Sequence, residues 1–133
     1  MENKKKYKDL NILVASINAV LGSQETKVQK KLFKLYEKIK PFHEEYNKQR
    51  EELRLDNAAT DDKGILVTDE KGEYKFNKEG VKKLSKDIET LNEKEFEFKP
   101  IEVINPQGLE NLIFLEQWTS GITFNEKEVE EEL

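Results

Sequence analysis

Hydrophobic residues recur at three- and four-residue spacing in three parts of the chain, and each part predicts an amphipathic helix. The first helix is expected from about residue 7 to 21, with the stripe Leu10, Leu13, Val14, Ile17 and Leu21. The second is expected from about residue 24 to 55, with the stripe Val28, Leu32, Leu35, Ile39, Phe42, Tyr46 and Leu53. The third is expected from about residue 78 to 94, with the stripe Val81, Leu84, Ile88 and Leu91.

The second stripe is a coiled-coil-like heptad pattern with one polar break at Gln49. Phe33 and Tyr36 widen its apolar face, so we expect this end to pack against more than one helix. Pro41 removes a backbone donor, but the stripe keeps its phase across it, which favours one kinked helix over two. Gly22 is placed to end the first helix, and Ser23 can cap the second.

Between the second and third stripes the periodicity stops. The stretch "ILVTDEKGEYKF", residues 65–76, predicts a β-hairpin, and the turn residues of 60–64 recur at 68–72. A plain four-residue turn would place Val67 opposite Tyr74, whereas a bulge at Gly72 would place Leu66 opposite Phe76. Asn77 can cap the third helix.

The chain after the third stripe predicts an extended segment and then a fourth helix. "EFEFKPIEV", residues 95–103, alternates aromatic and charged residues, and it either adds a third strand to the hairpin or leaves the hairpin tip for a partner; we favour the third strand. Asn105 and Pro106 are a typical helix start, and Gly121 a typical end. The apolar positions of this fourth helix are Leu109, Leu112, Ile113, Leu115 and Trp118.

These elements predict a mainly α fold with a small β element (α+β). A long kinked helix and the third helix form an antiparallel helical hairpin, the β-hairpin closes its far end, and short terminal helices pack at the other end. Residues 1–124 are expected to form one domain, and 125–133 an acidic tail.

Composition narrows the possible functions. The chain has 133 residues and a net charge of −5, which disfavours a general nucleic-acid or anionic-membrane binder. It has no cysteine, which excludes disulfides, thiol nucleophiles and cysteine-based zinc sites. No stretch approaches the roughly 20 apolar residues that cross a bilayer, so we expect no membrane insertion.

No residue pattern that carries catalysis is complete. His43 begins "HEEY", but a metalloprotease helix needs a second histidine where Asn47 stands, and His43 is the only histidine. Glu95 and Glu97 share one face of a predicted edge strand, which suits a charged outer surface. The acidic residues near the turns do not have the ligand spacing of a calcium-binding EF-hand loop, so we interpret them as turn residues. They are Asp56, Asp61, Asp62, Asp69 and Glu70. We therefore predict no catalytic residue, no metal and no cofactor.

Two features could serve a partner. Lysines crowd the first half of the long helix, where they could meet an acidic partner or phosphates, although a solvated helix face is the simpler interpretation. They are Lys27, Lys30, Lys31, Lys34, Lys38 and Lys40. Aromatic residues are candidates for partner binding, although in so small a chain Phe114, Trp118 and Phe124 also suit a core. The candidates are Tyr74, Phe76, Phe114, Trp118 and Phe124.

The order of features resembles a family of small proteins encoded by tailed bacteriophages and prophages and catalogued as a domain of unknown function. The resemblance rests on "KLYEKIKPFHEEYNKQREEL" at 34–53, "GEYKF" at 72–76, "FEFKPIEV" at 96–103 and the apolar segment that follows, and it covers about residues 8 to 120. It implies a phage origin, and so work inside an infected bacterium or in a phage particle. It carries over no functional residues.

The function expected from the sequence is non-enzymatic protein–protein interaction. In one version the chain acts in the host bacterial cytoplasm and inhibits or redirects a host protein. In the alternative it is a tail or virion assembly component that forms homo-oligomers.

Overall fold

The computed structural model describes residues 3–125, so the predicted acidic tail lies outside the described residues except for Asn125. Three helices dominate, and the strands are short, so the fold is mainly α with a small β part. The elements are β1 (Lys4–Lys6), α1 (Tyr7–Leu21), α2 (Thr26–Asn57), α3 (Lys78–Glu93), β2 (Glu95–Glu97), β3 (Ile101–Glu102) and β4 (Thr119–Ser120).

The three predicted helices are confirmed to within about two residues at each end. α2 is 32 residues long and continues through Pro41, so it extends about 48 Å. Two details are wrong. Ser23 does not cap α2, because its hydroxyl donates to the Val20 carbonyl; the N-cap position is Glu25, whose side chain makes no capping hydrogen bond. Phe33 does not widen the buried face, because its side chain is 53% exposed.

α3 lies against the second half of α2. Tyr46 Oη donates to Asn92 Oδ1 at 2.7 Å, and Asn57 Nδ2 donates to Asp87 Oδ2 at 3.1 Å, so positions rise along one helix as they fall along the other. Asn77 caps α3 as predicted, since its side chain accepts from the Gly80 N–H. α1 packs against both helices and completes a three-helix core.

A ring of three backbone hydrogen bonds organises residues 59–75 between α2 and α3. The N–H of Ala59 donates to Lys75 O, that of Lys75 to Val67 O, and that of Val67 to Ala59 O, at 2.7, 3.0 and 3.0 Å. These three residues are spaced eight apart, and the two segments between them have the same turn. Asp61 Oδ1 accepts from two backbone N–H groups in the first turn, and Asp69 Oδ1 does so in the second. The recurring turn residues therefore have the same role twice.

The predicted hairpin at 65–76 is thus only part of this arrangement. Thr68 forms an isolated antiparallel bridge with Tyr74, in the register that a bulge at Gly72 gives. Gly72 has a φ of +79°, which suits the bulge because glycine carries no Cβ. A second bridge joins Thr60 to Leu66. The third segment beside the hairpin therefore comes from residues before it, and not from residues 95–103.

The prediction that "EFEFKPIEV" adds a strand to the hairpin is wrong. β2, within this stretch, pairs antiparallel with β1, so that Lys4 lies opposite Glu97 and Lys6 opposite Glu95. β3, also within it, pairs in parallel with β4. Opposite charges across β1 and β2 favour this pairing.

The predicted fourth helix is also wrong. Backbone hydrogen bonds connect every third residue from Pro106 to Trp118, and only Ile113–Leu115 forms a short 3₁₀ helix. The apolar positions Leu109, Leu112, Leu115 and Trp118 are spaced by three, which matches the 3.0-residue period of 3₁₀ turns and not the 3.6-residue period of an α-helix. Gly108, within the first turn, and Gly121, after the last one, have positive φ values.

A chain of aromatic rings connects the helices to the C-terminal part of the chain. Ring centroids are 4.9–5.3 Å apart at each step from Tyr46 through Tyr7, Phe96, Phe42 and Phe98 to Trp118. The alternation predicted in residues 95–98 is confirmed, since Phe96 and Phe98 face the core while Glu95 and Glu97 are exposed. Burial, with the nearby Glu45 carboxylate, raises the pKa of Tyr7 above its ordinary value.

Glu93, in the last turn of α3, connects this helix to the N-terminal strand. Its carboxylate lies 2.8 Å from Lys8 Nζ and 2.9 Å from Lys6 Nζ. Hydrogen bonds from Lys8 and then Lys6 lower the pKa of Glu93 from 4.5 to about 2. The two lysines thus offset the unfavourable placing of a negative charge at a helix C-terminus.

This pairing predicts a pH dependence. The folded pKa of Glu93 is lower than its unfolded value, so the contribution of Glu93 to stability is present above pH 4.5 and is lost as the pH falls toward 2. We expect the stability difference between the wild type and Glu93→Gln to shrink over that range in urea unfolding. A carbon NMR titration should give a Glu93 midpoint near 2, and Lys6→Met/Lys8→Met should raise it. A wild-type midpoint near 4.5 would contradict the pairing.

Candidate functional site

A groove of about 320 Å³ lies between the first half of α2 and residues 101–109. We call it the lysine groove. Lys31, Lys34 and Lys38 line the α2 side. Its apolar residues are Leu35, Ile101, Val103, Ile104 and Leu109, and Glu102 and Asn105 complete the lining.

The α2 wall follows from helical spacing. Lysines at 31, 34 and 38 are three and four residues apart, so they occupy one row along the helix surface. Leu35 lies at the edge of this row, four residues after Lys31 and three before Lys38, and is 5% exposed, so it belongs to the core and forms an apolar base beside the lysines. The stripe that builds the core and the row that lines the groove are therefore adjacent faces of one helix.

The opposite wall is held by pairing with the C-terminal part of the chain. The N–H of Ile101 donates to Trp118 O and that of Val103 to Ser120 O. Leu109 is fully buried, whereas Ile104 is 82% exposed. This wall is therefore backbone-anchored and presents one large apolar side chain to solvent.

Positive charge dominates the groove. Lys31 Nζ donates to the Gln107 carbonyl at 2.7 Å, which ties the two walls together. Among residues 3–125, neither Lys34 nor Lys38 forms an ion pair. Of the described residues, Glu102 contributes the single carboxylate in the lining. The site can hold apolar side chains against its base and carboxylates beside its lysines, which is the chemistry of an acidic amphipathic peptide.

The aromatic candidates for partner binding do not form one cluster. Trp118 is 4% exposed and belongs to the core, and Phe114 and Phe124 are partly buried against it. Tyr74 lies near the other end of α2, where Arg54 stacks over its ring at 5.6 Å, and Phe76 is half-buried two residues further on. The structure therefore separates Tyr74 and Phe76 from the other three.

The remaining candidates have structural surroundings. His43 is half-buried on α2, and Glu95 and Glu97 are exposed opposite lysines of β1. Asp61 and Asp69 accept the turn hydrogen bonds described above. Within the described range, no group of three or more histidine, aspartate or glutamate side chains could hold a metal ion.

Sequence reasoning missed the groove because it assigned the two walls separately. The charge pattern favours a solvated face for the lysines, and the local pattern of residues 101–109 predicts the end of a strand and the start of a helix. The available signal was a row of lysines bordered by a heptad leucine, Leu35, since that leucine must meet another apolar element beside the lysines.

Within residues 3–125, no helix has the combined length and apolar character that a membrane span requires. Comparisons of the chain with models of protein families, with curated proteins and with solved structures gave no match.

Proposed function

We propose that this chain is a non-enzymatic protein–protein interaction protein of bacteriophage type. In this proposal it acts in the cytoplasm of an infected bacterium and inhibits or redirects a host protein. It binds an acidic, amphipathic segment of that protein in the lysine groove.

The observation that carries the proposal is the composition of the groove. Three lysines stand beside an apolar base in a chain whose net charge is −5, so positive charge is concentrated at this site. Ile104, which lines the groove and is 82% exposed, adds apolar surface that a partner can cover. Apolar contact supplies affinity, and the lysines select carboxylates.

The matching experiment uses a double charge reversal. The tagged wild type and the Lys34→Glu/Lys38→Glu variant are used to capture host proteins, and each captured protein is then purified and titrated by calorimetry. We expect the variant to bind the partner at least about tenfold more weakly, because two attractions become repulsions. The matched control is Lys82→Glu/Lys86→Glu on α3, where two exposed lysines four residues apart receive the same charge change.

Equal loss of binding in both double variants would show a general charge effect and would contradict a groove-specific site. Sizing of the free protein tests the assembly alternative. The host-directed proposal would be overturned if the wild type captures no host protein and forms a homo-oligomer that the Lys34→Glu/Lys38→Glu substitutions dissociate. That result would favour the assembly component.

A further inference from the structure

The described chain ends beside the lysine groove. At Asn125 the N–H donates to the Glu110 carbonyl at 3.0 Å, and the side-chain amide donates to Asn111 Oδ1. Glu110 follows Leu109, which lines the groove. The segment that continues from Asn125 therefore starts next to one wall of the groove.

That segment has the chemistry the groove accepts. Residues 126–133 read "EKEVEEEL", with five glutamates, one lysine and two apolar residues, Val129 and Leu133. Eight residues reach at most about 27 Å when extended, and Leu109 in the groove lining directly precedes the anchor residue Glu110. The glutamates complement Lys34 and Lys38, and the apolar side chains complement the groove base.

We propose that residues 126–133 dock in the lysine groove of their own chain and compete there with the partner. The docking itself does not depend on the proposed function, whereas the competition rests on it. The anchor at Asn125 raises the effective concentration of the segment at the groove, so weak intrinsic contacts suffice. A partner must displace the segment, which lowers the apparent affinity for that partner.

The docking is tested by comparing amide NMR spectra of the full chain with those of a chain that ends at Asn125. We expect differences at the groove residues Lys34, Leu35, Lys38, Ile104 and Leu109, and none in residues 59–75. A full-length control in which all five glutamates of 126–133 become glutamine should give the spectrum of the shortened chain at these amides. High salt should also weaken the contact, since exposed charges are screened.

Three results would overturn the docking. The first is a set of differences confined to Asn125, Glu110 and Asn111, which would mean that the segment leaves the anchor without entering the groove. The second is a full-chain spectrum whose groove shifts vanish on dilution, which would place the segment in a second copy. The third is an effect of removing residues 126–133 on the groove amides that is as large in the Lys34→Glu/Lys38→Glu variant as in the wild type, which would mean that the lysines do not hold the segment.

The competition is tested separately with the purified partner. We expect the chain that ends at Asn125 to bind it roughly two- to tenfold more tightly than the full chain. Equal affinities, with groove amides that do respond to the segment, would overturn the competition while leaving the proposed function intact. If the Lys34→Glu/Lys38→Glu substitutions abolish partner binding both in the full chain and in the chain that ends at Asn125, the result supports one groove shared by the segment and the partner.

Discussion

Replacing Trp118 with alanine should lower the free energy of unfolding by about 3–5 kcal/mol. The side chain is 4% exposed, and its ring meets that of Phe98 edge-to-face at a centroid distance of 5.2 Å. Lys5 Nζ, from strand β1, lies over the Trp118 ring at 5.7 Å from its centroid. The substitution removes a large apolar surface, the end of the aromatic chain and a cation–π contact together.

Urea unfolding followed by circular dichroism measures this loss, since the variant lacks the only tryptophan and with it the fluorescence signal. Ile104→Ala is the matched control, because this residue is 82% exposed, and we expect a change within about 0.5 kcal/mol. A Trp118→Ala variant as stable as that control would contradict core burial and would return Trp118 to the partner-binding candidates.

Gly80→Ala should destabilise the protein by about 1–3 kcal/mol, although alanine is the better helix former. Gly80 lies in the first turn of α3, where a Cβ would come 2.5 Å from the Asn57 carbonyl oxygen and 3.2 Å from Asn77 Oδ1. The first contact is with backbone at the end of α2, so the two helices must separate to accept the methyl group. The loss measures how closely α2 and α3 approach.

Ser85→Ala provides the opposite expectation on the same helix. Ser85 is exposed, so the change should stabilise the protein by a few tenths of a kcal/mol through helix propensity alone. Thermal and urea unfolding of both variants give the comparison. Stabilisation by Gly80→Ala similar to that by Ser85→Ala would contradict the close approach at Asn57.

The helices could be predicted from the sequence because each buries one face, so that its hydrophobic residues recur with a period of about 3.6 residues. The pairing of β1 with β2 could not be predicted in this way. Lys4–Lys6 has no apolar alternation, and its strand forms because Glu95 and Glu97 lie opposite lysines nearly a hundred positions away. The local pattern of either strand contains no information about that partner.

The groove shows the same limit. The lysine row on α2 was visible in the sequence, but the opposite wall depends on 3₁₀ turns and on parallel pairing of β3 with β4. Leu109, Leu112 and Leu115 fit either kind of helix for one turn, and only the repeated spacing of three distinguishes them. Helix geometry thus predicts the α2 wall of the groove, whereas the opposite wall depends on irregular backbone that the sequence pattern does not predict.

The ring formed by Ala59, Val67 and Lys75 constrains how the connection between α2 and α3 can change in length. Each unit of eight residues brings the backbone back to the same hydrogen-bonding position. An insertion in the extended backbone beside a ring member would move its N–H away from the acceptor, whereas an insertion within a turn leaves the three ring members in register. The exposed turns at Asp62–Lys63 and Glu70–Lys71 lie between those positions. Length variation in this connection should therefore be concentrated at these two turns, and a deletion that removes Ala59, Val67 or Lys75 should disrupt the ring.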